Sequence, residues 1–206
     1  VEAVQLRRGT LSNPNHPKTL GVGFMGMGPY VAKRAGQMTK EYTLWFHMLQ
    51  RSTDEGRKSS SVPKAYHNKS TDPQWHNFQE FAEWCQWQVG FKNSGWELDK
   101  DLLVKHNKVY SPETCVFLPN EVNCFLIRRE SVRGDNPIGV HYFRRDGYYL
   151  AQGSFGGAAT ERIGEFKTST EAFLAYKERK EWYANILAEK YKGQIDERAY
   201  VSLLNF

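Results

Sequence analysis

Between Ile138 and Tyr191 the hydrophobic period changes once, from two residues to about 3.6, and that change limits the fold more than any other feature of the chain. IGVHYF, YYLAQGS and ERIGEF read as short strands separated by turns at RRDG and GGAAT. Thr168 and Glu171 then form a capping-box signature. Ala172, Phe173, Tyr176, Arg179, Tyr183, Ile186, Leu187 and Tyr191 continue from it as the face of one long helix. The expectation is a three-stranded antiparallel sheet with one side covered by that helix. If Val140, Tyr142, Tyr149, Ala151 and Ile163 face the helix, alternation turns His141, Phe143, Arg145, Tyr148, Gln152, Ser154 and Arg162 outward.

Gly134 and Pro137, in SVRGDNP, mark a linker before this unit. Further upstream, Thr39 caps a helix whose face is Tyr42, Trp45, Phe46 and Leu49. A polar linker broken by Pro63 and Pro73 leads to a second helix in WHNFQEFAEWCQWQ. There Trp75, Phe78, Phe81, Ala82, Trp84 and Cys85 face inward as core packing rather than as a cofactor box. GVGFMGMGPYVAK lacks the Gly-Lys-Ser/Thr ending of a phosphate-binding loop and reads as a glycine-rich hairpin. The expected class is α+β in three parts: an arm over 1–40, a central domain over 41–130 and the sheet-helix domain over 131–206.

The net charge of +5 is concentrated in the arm, where Arg7, Arg8, Lys18, Lys33, Arg34 and Lys40 face Glu2 alone. Such an arm suits a polyanion, because each neutralised phosphate releases counterions; a solvated tail is the plain alternative. No apolar run approaches the roughly 20 residues that span a bilayer. Arg7 and Arg8 are followed by polar residues and prolines, not by a signal-peptide core. Cys85, Cys115 and Cys124 contain no CxxC pair and read as reduced, buried thiols of a cytoplasmic protein. No membrane partner and no small-molecule substrate is expected.

PIGVHYFRRDGYYLAQ followed by ERIGEFKTSTEAFLAYKE resembles the AP2 family of DNA-binding domains in the order and spacing of its Gly-Val, Gly-aromatic, Gly-Phe and Thr-x-x-Glu-Ala elements. The resemblance implies that the open sheet face lies in the major groove of double-stranded DNA. His141, Phe143, Arg145, Tyr148, Gln152, Ser154 and Arg162, with Thr160 entering the third strand, match the contacting positions. His, Phe, Tyr and Ser stand where the plant domains carry arginine or lysine, which leaves the base sequence open.

YTLWFHMLQR, WHNFQEFAEWC, ELDKDLL, NKVYSPETCVFLP and Asn123 resemble the phage HNH-like endonucleases, often homing endonucleases, that carry an AP2-type domain behind them. This implies a central ββα-metal unit with flanking helices. In such a unit Asp99 and Asn123 match the metal ligands, for Mg²⁺ or Mn²⁺, and Asn107 matches the middle asparagine. Lys100 stands where the general-base histidine belongs. An ordinary lysine is protonated at neutral pH, a poor base and repulsive to a nearby divalent cation.

Loss of a general base alone costs roughly 10²–10⁴-fold in rate. His106 reads as a solvated or DNA-contacting loop residue, and Leu98 closes the restriction-type alternative, which needs an acid two positions before the lysine. Glu97, Asp99 and Asp101 alternate, either as a metal-binding face or as an acidic strand edge. The first expectation is a sequence-specific DNA-binding protein, a transcriptional repressor of phage or mobile-element origin, needing no cofactor. In it Arg7, Arg8, Lys33, Arg34, Lys100, Lys105 and Lys108 would contact phosphates. The alternatives are an active metal-dependent homing endonuclease and a protein-interaction module that keeps the fold only.

Overall fold

Thr39 begins the first helix as its spacing predicts. The computed structural model describes residues 13, 15–58, 68–126, 136–155 and 159–206, and the fold is α+β. Its described residues fall into two compact units, one within Val1–Gln86 and Lys108–Pro112, the other within Trp87–Asn107 and Glu113–Phe206.

In the first unit, β1 (Lys33–Arg34) and β2 (Gln37–Met38) form a hairpin that leads into α1 (Lys40–Ser52). The Thr39 hydroxyl accepts the N–H of Tyr42 at 3.3 Å, which satisfies one orphan donor of the first turn. A short α2 (Asp54–Arg57) follows, then β3 (Ser70–Thr71) and α3 (Phe78–Trp87). Trp45, Met48 and Leu49 of α1 are buried, as are Trp75 and the Phe78, Phe81, Ala82 and Cys85 face of α3. The Trp45 indole N–H donates to the Trp75 carbonyl at 2.7 Å.

The glycine-rich run is not itself the hairpin, which lies one segment later at Lys33–Met38. Residues 25–30 instead form a loop held by one side chain. Gln79 Nε2 donates to the carbonyls of Met25 and Tyr30, and its Oε1 accepts the Tyr30 N–H, each at 3.0 Å.

In the second unit, β4 (Trp96–Asp99) lies antiparallel to a later strand, with Trp96 opposite Pro119 and Asp99 opposite Val116. The chain between them includes β5 (Val109–Tyr110), which pairs in parallel with β3 inside the first unit. After β6 (Val116–Pro119) the chain turns at once into α4 (Asn120–Leu126). Then β7 (Val140–Phe143), β8 (Tyr148–Gly153) and β9 (Glu161–Phe166) make the antiparallel sheet that the alternation predicts, packed against α5 (Ser169–Tyr191). Thr168 and Glu171 close the capping box.

The face of α5 changes along its length, which the sequence did not suggest. Ala172 and Tyr176 pack with Val140 and Ala151 under the sheet. Ala184, Leu187 and Ala188 pack instead with Val116 and Leu118 of β6 and with Val122 and Phe125 of α4. Ile186, assigned to the buried face, is exposed. Among the described residues one core therefore spans the boundary expected at residue 130. That core is completed by α6 (Glu197–Leu204), capped by Asp196 and burying Ala199 and Leu203. Asp196 and the Ala199/Leu203 spacing carry the helix signal in the sequence.

Candidate nucleic-acid interface

Gly139, with φ +78°, is the turn residue just before β7, and its carbonyl accepts the Gln152 N–H at 2.8 Å. The register sets Val140 opposite Ala151, His141 opposite Leu150, Tyr142 opposite Tyr149 and Phe143 opposite Tyr148. Cross-strand partners share a face. His141, Phe143, Tyr148 and Leu150 therefore lie on the side away from the cluster of Val140, Ala151, Ala172 and Tyr176. A bulge at Ala151/Gln152 brings Gln152 opposite Arg162. The same bulge keeps Ile163 in the helix-facing cluster while Glu165, opposite Leu150, emerges on the outer face. Strict alternation from Ile163 would have turned Glu165 inward, so the bulge is what a reading by period alone misses.

The outer face combines apolar and hydrogen-bonding groups. The Phe143 and Tyr148 rings stack at 5.0 Å with 13° between their planes. Arg162 Nη2 reaches the Tyr148 hydroxyl at 3.3 Å and is ion-paired with the Glu165 carboxylate. Leu150, 4% exposed, sits beneath these long side chains on the same face. Arg145 lies in the turn, paired with Asp146 at 3.1 Å, and the hydroxyls of Ser154 and Thr160 approach to 3.4 Å.

In the nuclease-like stretch each candidate residue has its own partners. Asp99 is buried, at 7% exposure, and its Oδ1 accepts the N–H groups of Asp101 at 3.0 Å and Leu102 at 2.8 Å. Burial pushes its carboxyl above the ordinary range, against the opposing effect of those N–H bonds. Lys100 is 2% exposed and its ammonium meets Asp101 Oδ1 at 2.5 Å. Asn107 Nδ2 donates to the Lys100 carbonyl at 2.7 Å, and Asn123 donates to the Glu97 carboxylate.

This corrects the phosphate contact expected of Lys100, whose ammonium is enclosed rather than presented. Divalent-metal chemistry also fits poorly, because the Asp99 Oδ1 is committed to the turn and an ammonium already sits against Asp101. Among the described residues no group of three or more His, Cys, Asp or Glu side chains could hold a metal ion.

Lys105 and Lys108 are exposed, Lys105 donating to the Phe206 carbonyl at 3.1 Å, and Lys33 and Arg34 are exposed on β1. Arg7 and Arg8 lie outside the described residues. Cys85 and Cys115 are buried and outside any disulfide, but Cys124 is exposed on α4, where its Sγ meets Asn120 Oδ1 at 3.2 Å. A seven-residue helix has one exposed side, and Cys124 falls on it because Val122 and Phe125 take the core.

Sequence reasoning passed over Glu121. Its carboxylate accepts the hydroxyls of Tyr191 at 2.8 Å and Tyr183 at 3.3 Å and pairs with Lys190, tying α4 to α5. Burial pushes this carboxyl up, but hydrogen bonds from Lys190 and Tyr191 outweigh it and hold it below its ordinary 4.5. A depressed folded-state pKa contributes stability that is present above the unfolded value and lost as pH falls through the folded one. Glu121→Gln should therefore lower Tm at pH 7, with the gap to wild type narrowing below about pH 4.5. A pH series of melts measures this, and a gap constant with pH would mean that the carboxylate charge is not what ties the helices.

Among the described residues no helix is long and apolar enough to cross a membrane. No protein-family model, no curated protein and no solved structure matches the chain.

Proposed function

We propose that the chain is a sequence-specific double-stranded DNA-binding protein, built on a homing-endonuclease scaffold and acting as a repressor rather than as a nuclease. In this reading Val140–Tyr191 is an AP2-like reader and Trp96–Leu126 the remnant of a ββα-metal unit. The single observation that carries it is the outer sheet face. One open surface carries Arg162, ion-paired there with Glu165, together with a glutamine amide, a histidine and a stacked aromatic pair, while α5 backs the other side. Arginine pairs with guanine O6 and N7, glutamine with adenine, and apolar groups with the thymine methyl. The enclosed Lys100 and the committed Asp99 support binding without cleavage.

Selection of bound fragments from random duplex DNA, repeated with Mg²⁺ and with Mn²⁺, tests this reading. One sequence should be enriched, bound in a salt-sensitive manner and left uncut. Arg162→Ala should weaken that site about 5- to 150-fold and leave shuffled DNA nearly unaffected. Equal loss on both duplexes would reduce Arg162 to a phosphate contact and remove the reader. Metal-dependent cutting abolished by Asp99→Ala or Asn123→Ala would replace the repressor with an active endonuclease. Failure to bind any duplex would favour a protein-interaction module.

A further inference from the structure

Every residue from Lys33 to Met38 is exposed, so the β1–β2 hairpin buries no side chain of its own. Two-stranded ribbons are marginally stable in isolation, and this one is held at both ends. At its tip Ala35 and Gly36 have φ +49° and +81°, the pair of left-handed residues whose twist suits a two-residue hairpin. At its base the Thr39 N–H donates to the Ala32 carbonyl at 3.0 Å, and the Thr39 hydroxyl donates to the Val31 carbonyl at 2.9 Å. That hydroxyl is also the cap of α1, so the ribbon is fastened directly to a helix start.

The ribbon's chemistry is sorted by its register. Arg34 is opposite Gln37 and Lys33 opposite Met38, which puts the guanidinium and the amide on one face and the ammonium on the other. Among the described residues neither Lys33 nor Arg34 has an ion-pair partner. An arginine fork beside a glutamine amide is the pair of side chains that reads purine edges, and a two-stranded ribbon is narrow enough for the major groove. The small tip residues add no bulk that would hold it out.

We propose that Lys33–Met38 is a second DNA-reading element, entering the major groove with Arg34 and Gln37 on purine edges and Lys33 on a phosphate. The inference rests on the reading of the chain as a duplex-DNA binder and assigns this ribbon more than the charge of an arm.

The test uses the full chain, a duplex it selects from a random pool, and a shuffled duplex of equal composition. Arg34→Lys keeps the charge and removes the fork. It should weaken the selected duplex about 5- to 150-fold and leave the shuffled one unchanged, with melting as in wild type. Replacing guanines singly by 7-deazaguanine should reveal a position that weakens wild type and has no further effect on Arg34→Lys. Wild-type affinity of Arg34→Lys on both duplexes would overturn the proposal, since a phosphate contact needs only the charge. Sensitivity at that position to inosine but not to 7-deazaguanine would overturn it too, by moving the ribbon to the minor groove. Both results leave binding by wild type intact and so leave the proposed function standing. Failure of wild type to bind any duplex would end both readings at once.

Discussion

Leu187→Ala is expected to lower the stability of the second unit, Trp87–Asn107 with Glu113–Phe206, by about 2–5 kcal/mol. Leu187 is 0% exposed, and it packs in one cluster with Val116 and Leu118 of β6, Val122 and Phe125 of α4, and Leu203 of α6. Removing its branched end leaves a hole that strands and helices on three sides cannot all close. The loss should reach residues far away in sequence. Hydrogen exchange at the amides that pair β4 with β6 should accelerate along with exchange in α5. A central domain that folded by itself would keep its β4–β6 protection unchanged, and that outcome would refute the shared core. For the same reason a chain ending at residue 130 should fail to give a stable β4–β6–α4 unit, because its apolar side would be uncovered.

Gly139→Ala should cost about as much by a different route. A Cβ at this position would lie 2.1 Å from Tyr176 Cδ2, inside the ring's own volume, and φ is +78°. The left-handed backbone costs about 1–2 kcal/mol for a residue with a side chain, and overpacking adds about 1–3. Gly147→Ala is the matched control, since its φ is +72° but nothing lies within 4 Å of the added methyl. Thermal unfolding should separate the two variants clearly, with Gly147→Ala near the backbone cost alone. Equal melting temperatures would mean that Tyr176 yields freely. Because the Gly139 carbonyl accepts the Gln152 N–H, a backbone displaced at residue 139 should also loosen the pairing of β7 with β8.

Local chemistry was legible in the sequence where neighbours in the chain decide it. Thr39 and Thr168 start their helices, Trp45 and Leu49 of α1 and Phe78 and Phe81 of α3 are buried while Tyr42, Phe46 and Trp84 are partly so, and β7, β8 and β9 fall where alternation and turn residues put them. What was not legible depends on partners remote in sequence. The period of α5 reads as one face because a 3.6-residue repeat carries no mark of where one partner ends and another begins. The bulge that turns Glu165 outward has one mark in the sequence, the glycine at 164 inside a strand, and strict alternation runs straight through it. At the candidate nuclease site, residue types alone matched Asp99, Asn107 and Asn123 to one constellation. The structure gives Asn123 to Glu97, Asn107 to the Lys100 carbonyl, and Asp99 to the turn that follows it.

Gln79 bears on how freely this protein can change over generations. Its one amide supplies three bonds to the chain between Met25 and Tyr30, all of them to backbone atoms at the two ends of the loop. Those bonds need the glycines at 26 and 28, since a Cβ at Gly28 would lie 2.3 Å from the Gln79 Oε1, but they ask nothing of the side chain between them. Met27, at the loop's outer edge, is among the most exposed apolar residues of the protein. A six-residue path is thus fixed by a residue about fifty positions away, while the identity of its outermost member is left to drift. A peptide tag or a new recognition residue could be grafted at Met27 while the anchoring amide keeps the ends of the loop in position.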